Sequence, residues 1–323
     1  AAPIARLPLF SDMIVFMSYA MQVVMGFLLM GALFIVLPRT MVSAKRINQV
    51  LDLHSSIQNP AQVQLADENL KGQVEFKDVT FRYAANSEAV IENVSFRAEA
   101  GQTVAFIGST GSGKSTLVNL IPRFYDVSAG EILVDGVNVQ DYDLDDLRNK
   151  VGYIPQKAVL FSGDVKGNLD FGHSQETPLS EQAMWQALEL AQSKNFIEDK
   201  EAGLASEVAQ GGTNFSGGQR QRLAIARALA RKPEILIFDD SFSALDYKTD
   251  RVLRQELAEK TKSMTKLIVA QRISTIMDAD LILVLDQGKV VGQGTHKELL
   301  ANNEVYQEIA YSQLSKEELE HGK

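Results

Sequence analysis

The 323-residue sequence has no cysteine. This absence excludes disulfide bonds and thiolate metal sites, and it fits a reducing compartment. Positive charge is also scarce, because 32 Lys and Arg stand against 41 Asp and Glu and leave a net charge of −9. That balance argues against a protein built mainly to neutralise a nucleic-acid backbone. The sequence has no internal repeat or low-complexity tract, and residues 1–11 lack the pattern of a secretory signal.

The composition otherwise predicts an ordinary folded protein of more than one part. Hydrophobic residues make up 45% of the chain, which is enough for a sizeable core. A length of 323 residues fits about two domains.

A glycine-rich stretch fits the phosphate-binding loop pattern of Gly, four residues and Gly-Lys-Ser/Thr. An apolar run at 104–107 precedes it, and helical spacing follows at 117–124. In such a loop the backbone N–H groups surround a polyphosphate, Lys114 reaches the β- and γ-phosphates and the Ser115 hydroxyl ligates Mg²⁺. The alternative is a Gly-Ser linker with a chance lysine, which the flanking strand and helix disfavour. The predicted binding residues are Gly108, Ser109, Thr110, Gly111, Ser112, Gly113, Lys114, Ser115 and Thr116.

A long apolar segment lies near the start of the chain. Residues 13–37 carry no charged side chain, and a helix of that length spans about 37 Å, enough for a hydrocarbon core of about 30 Å. A buried core helix is the alternative, but soluble helices usually have a polar face. Arg39, Lys45 and Arg46 follow the segment, which predicts that its C-terminal side is cytoplasmic. Helical spacing continues over 43–53, and a polar linker follows.

The remaining sequence predicts an α/β fold. Alternating residues at 73–83, with one offset, and short runs at 90–96 and 131–134 predict an antiparallel β subdomain, with Asp135-Gly136 as a hairpin turn. Short apolar runs that alternate with helical segments predict a mostly parallel sheet covered on both faces. Those runs lie at 151–154, 235–238, 267–270 and 281–285.

A helical insert is predicted over about 162–229. Thr177-Pro178 has the pattern of a helix start, with the helix running to Ala191. Ser216 and Gln219 form a capping-box pair that would open a second helix through Ala230.

Four more motifs follow the phosphate loop in order: Gln156 after 151–155; Phe215, Ser216, Gly217, Gly218 and Gln219; an apolar strand ending in Asp239; and Ser243, Ala244, Leu245 and Asp246. This ordered set resembles the ATP-binding cassette (ABC) proteins over about residues 10–312, where the motifs are the Q-loop, the signature, the second Walker motif and the D-loop. Tyr83 precedes Gly108 by 25 positions, where the family keeps an aromatic residue that stacks on adenine.

The resemblance implies ATP and Mg²⁺ as cofactors. In the family, two cassettes sandwich two ATP molecules, each between the phosphate loop of one chain and the signature of the other. Ser115, Gln156 and Asp239 would then hold the metal. Each assignment has a plainer alternative: helix capping for Ser216 and Asp246, a strand aromatic for Tyr83, and a solvated loop amide for Gln156.

The resemblance also implies an architecture: an α/β P-loop NTPase of the ABC ATPase type, with a mostly parallel sheet, an antiparallel β subdomain and a helical subdomain, preceded by one transmembrane helix. The expected parts are a partial transmembrane domain at 1–53, a linker at 54–72, a nucleotide-binding domain at 73–312 and a charged tail at 313–323. The apolar segment resembles the last of six membrane helices in an exporter half-transporter, so a fragment of a longer subunit or an unusual truncation is expected.

Two positions depart from the pattern of active cassettes. Asp240 stands where they carry a glutamate that polarises water, and Gln271 stands where they carry a switch histidine that contacts the γ-phosphate. The carboxylate of Asp240 reaches about 1 Å less far than that of a glutamate, and the amide of Gln271 cannot become a cation. With Gln156, these are the predicted catalytic residues. The pattern resembles the hydrolysis-impaired chain of heterodimeric exporters, although neutral drift with full activity is the alternative.

The expected function is ATP-driven export of a small drug-like or lipophilic substrate by a multi-pass cell-membrane protein with a cytoplasmic nucleotide-binding domain. Its partner would be a second half-transporter subunit; a heterodimer is favoured and a homodimer stays open. No nucleic acid is expected as a partner. A soluble ABC ATPase that remodels nucleic acid or ribosomes is the main alternative, and an importer ATPase is disfavoured because it normally lacks a fused membrane helix.

Overall fold

The computed structural model describes residues 6–172 and 178–314, with side-chain exposure from residue 9 onward. The chain divides into two compact units, Ala1–Ser56 and Ile57–Lys323. The expected charged tail lies outside the described residues from 315 onward, as does Thr177.

The first unit is a single helix, α1 (Arg6–Leu51). Its 46 residues make it about 69 Å long at 1.5 Å per residue. An 18-residue stretch within Leu9–Leu51 has a mean hydropathy of 2.4, so α1 is long and apolar enough to cross a membrane by length and composition. The two helical stretches predicted at 13–37 and 43–53 are therefore one helix, which continues through Pro38.

The second unit alternates strands and helices. Its strands are β1 Val74–Phe81, β2 Ile91–Ala98, β3 Thr103–Gly108, β4 Ala129–Val134, β5 Val137–Asn138, β6 Val151–Ile154, β7 Gly163–Asp164, β8 Glu207–Val208, β9 Ile235–Asp239, β10 Thr265–Val269, β11 Leu281–Asp286 and β12 Lys289–Gly294. Its helices are α2 Lys114–Asn119, α3 Leu144–Lys150, α4 Val165–Leu169, α5 Glu181–Leu190, α6 Lys194–Glu198, α7 Gly217–Ala230, α8 Tyr247–Lys260, α9 His296–Asn302 and α10 Glu304–Gln313.

The central sheet has six strands in the order β12-β11-β3-β10-β9-β6. All neighbouring pairs are parallel except β11 with β12, which is antiparallel. Every residue of β9 and β10 is buried, as expected for central strands covered on both faces. The predicted mostly parallel sheet is confirmed, and its strand order brings the carboxyl ends of β3, β9 and β6 to one edge.

A second sheet, with the order β2-β1-β4-β5, is antiparallel and packs on the central sheet through a shared core that contains Phe76, Phe96 and Phe106. The offset in the β1 alternation is a bulge: the register shifts between Phe76 and Val79, and Asp78 has a φ of 49°. The Asp135-Gly136 turn, with φ values of 50° and 80°, joins β4 to β5. The antiparallel subdomain is therefore confirmed.

Helices α4 to α7 form the predicted helical subdomain, with the short β7–β8 ribbon among them. The capping box of α7 is confirmed, since Ser216 Oγ accepts from the Gln219 N–H and the Gln219 side chain accepts from the Ser216 N–H. The start predicted at Thr177-Pro178 for the helix that runs to Ala191 is wrong. That helix, α5, begins at Glu181, because the hydroxyl of Ser180 caps it by accepting from the Ala183 N–H.

The helix after the phosphate loop is also shorter than predicted. It ends at Asn119, whereas the spacing indicated a helix to residue 124. Pro122 supplies no N–H and disfavours helical geometry at Ile121, and Arg123 has a φ of 52°.

The linker segment after Ile57 is hydrogen-bonded to the domain that it precedes. Arg123, a buried residue, donates from Nη1 to the carbonyl oxygen of Gln58 over 3.1 Å. Asn59 donates to the Asp143 carboxylate and accepts from the Leu144 N–H. The backbone N–H of Gln64 donates to the carbonyl oxygen of Asp141, and the side-chain amide of Gln64 donates to the Asp141 carboxylate. Residues 58–64 are therefore hydrogen-bonded to the part of the second unit around α3.

Candidate nucleotide-binding site

The phosphate loop joins the end of β3 to the start of α2. Gly108 has a φ of 154°, and a Cβ there would collide with the carbonyl oxygen of Leu285. Gly113 has a φ of 94°, and its Cβ would lie 2.6 Å from the Ile91 side chain. Both positions therefore require glycine. Since Gly113 also begins α2 without a side-chain cap, the first N–H groups of this helix are available to an anion.

The ammonium of Lys114 is folded onto its own loop. Nζ donates to the carbonyl oxygens of Gly108 and Ser109 over 2.9 and 2.7 Å, and to Ser112 Oγ over 3.2 Å. Burial lowers the pKa of Lys114, and the negative charges of Asp240 and Asp239 act in the opposite direction. The cation is thus already positioned over the loop, close to both carboxylates.

Two of the three predicted magnesium ligands are adjacent. Ser115 donates from Oγ to Oδ1 of Asp239 over 2.6 Å, and the Tyr153 hydroxyl donates to the other carboxylate oxygen over 3.0 Å. Gln156 is instead bonded to Asp240. Burial and the neighbouring Asp239 charge raise the pKa of the Tyr153 hydroxyl, so it remains a proton donor.

Two of the three predicted catalytic residues donate hydrogen bonds to the same carboxylate oxygen of the third. Oδ2 of Asp240 accepts from Nε2 of Gln156 over 2.9 Å and from Nε2 of Gln271 over 2.7 Å. Burial raises the pKa of Asp240, Asp239 raises it further, and the Gln156 hydrogen bond opposes the shift. Asp240 also has a φ of 48°, an uncommon conformation that asparagine and aspartate tolerate best.

The signature and the D-loop lie beside each other. A Cβ on Gly218 would be 3.4 Å from the carbonyl oxygen of Ala244, whereas Gly217 has open space on that side. Asp246 caps α8 by accepting from the Thr249 N–H, so its plain capping role is confirmed. In the described part of the chain, no hydrogen bond joins the signature residues to the phosphate loop. Ser216 and Gly217 are exposed, whereas Phe215 is buried.

Tyr83 lies above the start of α2. Its hydroxyl is 3.0 Å from Oγ1 of Thr116, and its ring meets Tyr125 edge to face with 5.3 Å between centroids. Just over half of its surface (54%) is exposed. The exposed ring is compatible with stacking on a base, which remains a prediction.

Two residues at this site were not predicted from the sequence. Tyr153 holds Asp239, and buried Gln221 on α7 donates from Nε2 to the carbonyl oxygen of Pro155, just before the Q-loop glutamine. Both residues could have been identified as polar side chains within an apolar pattern. Tyr153 lies in the apolar run 151–154, and Gln221 lies on the buried face of α7. A buried polar side chain needs a partner.

The residues fit a nucleotide polyphosphate with Mg²⁺. Gly108 and Gly113 could not carry side chains, Lys114 supplies a cation, and Ser115 with Asp239 offers the oxygen donors that Mg²⁺ prefers. When bound, the metal would neutralise phosphate charge. Gln156 would join these ligands through Oε1, because its Nε2 donates to Asp240.

The parallel sheet, the phosphate loop, the helical subdomain and the antiparallel β subdomain define a P-loop ATPase domain of the ABC type. The family model described as "ABC transporter" matches residues 91–243. The chain contains the ATP-binding domain of the ABC transporter family.

Individual relatives agree with this assignment. An ABC transporter ATP-binding protein of Mycobacterium tuberculosis, described as uncharacterized, is 45% identical over 302 residues, which cover 94% of this chain and 52% of the relative. An ATP-dependent lipid A-core flippase of Pseudomonas aeruginosa is 45% identical over 239 residues, covering 74% of this chain and 39% of the flippase. The solved structure of a bacterial Atm1-family ABC exporter with ATP bound aligns with a TM-score of 0.79 at 32% identity, over 86% of this chain and 48% of that one. The chain thus spans about half the length of the first of these relatives.

Proposed function

We propose that this chain is the ATP-binding, energy-coupling part of an ABC exporter subunit. Its nucleotide-binding domain follows a helix with the length and hydropathy of a membrane span. The similarity to a lipid A-core flippase and to an Atm1-family exporter supports export over the alternative of a soluble remodelling ATPase. The substrate of the whole protein would be small and lipophilic, and the protein would be a multi-pass membrane protein with its nucleotide-binding domain in the cytoplasm.

The chain's own ATP site, on this proposal, binds ATP but cleaves it slowly. The supporting observation is the pair of amides on Oδ2 of Asp240. The two amides occupy the carboxylate oxygen that would otherwise accept a hydrogen bond from the attacking water. The carboxylate is also one methylene shorter than the glutamate of active cassettes. Gln271, being neutral, adds no positive charge to stabilise the transferring phosphoryl group.

The signature completes the ATP site of a partner half-transporter. Ser216 and the N–H groups at the start of α7 suit a γ-phosphate, and Gly217 leaves room for its approach. Because the chain's own site is altered at two chemical positions and its signature is intact, an unlike partner with an active site is favoured. A homodimer that uses Asp240 as base is the competing arrangement.

The test is chemical analysis of nucleotide retained on this chain. The subunit and a candidate partner are reconstituted in lipid, loaded with radiolabelled ATP and Mg²⁺, and washed. We expect ATP rather than ADP on this chain, together with ATP-dependent uptake of a lipophilic dye into inside-out vesicles. Retained ADP would contradict the slow site, and a complex that binds no ATP and moves no dye would contradict the exporter assignment.

A further inference from the structure

The side-chain amide of Gln313, at the end of α10, bridges the backbone on both sides of Arg272. Its Nε2 donates to the carbonyl oxygen of Gln271 over 2.8 Å, and its Oε1 accepts from the N–H of Ile273 over 2.9 Å. This residue is 40 positions from Ile273 in sequence and lies outside the range matched by the family model. The contact therefore links the C-terminal helix to the switch segment, residues 271–275.

The helix that carries Gln313 is firmly anchored. Tyr306 and Ala310 on α10 are completely buried in a second hydrophobic core, which also contains Ile273. The Tyr306 hydroxyl is 2.6 Å from Nδ1 of His296. Asn303 caps the start of α10 by accepting from the Tyr306 N–H. Because its helix is fixed, Gln313 can hold the switch segment in a defined place.

The other end of the switch segment is held from α8. Arg254 donates from Nη1 to the carbonyl oxygen of Ser274 over 3.0 Å, while Nε and Nη2 bind the two oxygens of Asp250 over 3.0 and 3.1 Å. Asp250 is buried, so the guanidinium is a fixed anchor. The segment is thus fastened at one end by Arg254 and at the other by Gln313.

We infer that Gln313 is a positioning residue for Gln271 in ATP recognition. The inference rests on the proposed function, in which the switch side chain meets the γ-phosphate. Gln271 carries the carbonyl that Gln313 binds and the amide that reaches Asp240. Movement of its backbone would therefore move its amide away from both Asp240 and an incoming phosphate.

A neutral switch residue depends more on such positioning than a cation does. A charge attracts phosphate over several ångströms, whereas an amide hydrogen bond weakens steeply when the angle or distance departs from its optimum. With Gln271 in place of histidine, the contribution of the switch relies on geometry, and Gln313 supplies part of that geometry.

The experiment compares ATP and ADP affinity, with Mg²⁺, for the whole chain in detergent micelles. Gln313→Leu removes both hydrogen bonds with little change in size. We expect ATP affinity to fall about fivefold to tenfold, the effect of losing roughly one net hydrogen bond, and ADP affinity to stay within about twofold. Loss of ATP and ADP affinity together would indicate general destabilisation and overturn the inference.

Gln307→Leu is the matched control: Gln307 on the same helix donates to the carbonyl oxygen of Leu300, and within the described residues it has no hydrogen bond to the switch segment. Gln313→Glu separates the two bonds, because its carboxylate can still accept from the Ile273 N–H but faces the Gln271 carbonyl oxygen. We expect Gln313→Glu to weaken ATP binding while it preserves hydrogen-exchange protection of Ile273, and Gln313→Leu to lose both.

The outcomes separate the inference from the proposal beneath it. If the unmodified chain binds ATP and the Gln313 variants bind it equally well, the positioning role is wrong and the proposed function stands. If the unmodified chain does not bind ATP at all, the proposed function fails.

Discussion

Nε2 of Gln271 lies 2.7 Å from Oδ2 of Asp240. The two positions that depart from the pattern of active cassettes are therefore in direct contact. Substitutions at these positions should not be additive, since residues that share a hydrogen bond are energetically coupled. The altered chemistry of this site is best treated as the property of a pair.

Lys114→Ala should abolish tight ATP binding by this chain. The substitution removes the loop cation that would meet the phosphates, and it leaves the Gly108 and Ser109 carbonyl oxygens without their shared donor. We expect a loss of at least about 100-fold in affinity, or about 3 kcal/mol, measured by photolabelling with an ATP analogue. Lys297→Ala, on the exposed side of α9, controls for the lost charge. Equal labelling of both variants would contradict the prediction.

A chain that begins at Ile57 should be soluble and should bind ATP, because the second compact unit starts there. A chain that begins at Leu65 loses the bonds that Gln58, Asn59 and Gln64 make to the domain. These few hydrogen bonds are worth roughly 1–3 kcal/mol, so its Tm should be about 3–8 °C lower. Thermal unfolding of the two chains measures the difference. Identical Tm values would mean that the linker bonds contribute nothing.

The sequence was sufficient for features with a local or periodic cause. The β1 offset became a bulge at Asp78, and Ser216 with Gln219 formed the capping box. Two helix ends were wrong, because Ser180 competes as a cap for α5 and Arg123 turns the chain after α2. Contacts between distant segments, such as Tyr153 with Asp239, depend on strand order and could not be read from spacing.

Asp240→Asn should stabilise the fold at neutral pH. Burial raises the pKa of Asp240 in the folded state, so its ionisation opposes folding. The contribution of Asp240 to the free energy of unfolding is fully present below its unfolded-state pKa, near 3.8. That contribution is lost as pH rises through the higher pKa of the folded state. The Tm advantage of the variant should therefore be largest near pH 7 and shrink towards pH 4. Asp246→Asn is the opposite control, because backbone and side-chain hydrogen bonds from Thr249 lower the pKa of Asp246. An advantage that is constant with pH would contradict this account.

Asp240→Glu combined with Gln271→His should raise ATP cleavage at this chain's own site. The glutamate regains about 1 Å of reach, and the histidine supplies a protonatable group. We expect an increase of about tenfold or more in single-turnover hydrolysis for the double variant. Each single variant should show less than half of that gain. Asp240→Glu alone still faces a neutral amide, and Gln271→His alone still faces the shorter carboxylate. If the gains of the two single variants multiply to give the gain of the double variant, the contact between the two positions has no effect on cleavage.

The two ATP sites of the paired complex should respond unequally to substitutions on this chain. Gly217→Asp should suppress nearly all steady-state ATPase activity, at least about 100-fold, because a carboxylate there would repel the γ-phosphate of the working site. The fold should tolerate this change: Gly217 has open space at its Cβ position, and an acidic residue suits the first turn of a helix. Ser216→Arg should act in the same direction, but it also removes the α7 cap, and Ser180→Ala on α5 controls for such a loss.

Asp240→Ala should reduce the activity less than about threefold, because it damages a site whose carboxylate is already short and held by two amides. If Asp240→Ala is as damaging as Gly217→Asp, the slow-site proposal fails and a symmetric dimer that uses Asp240 as its base becomes the better explanation.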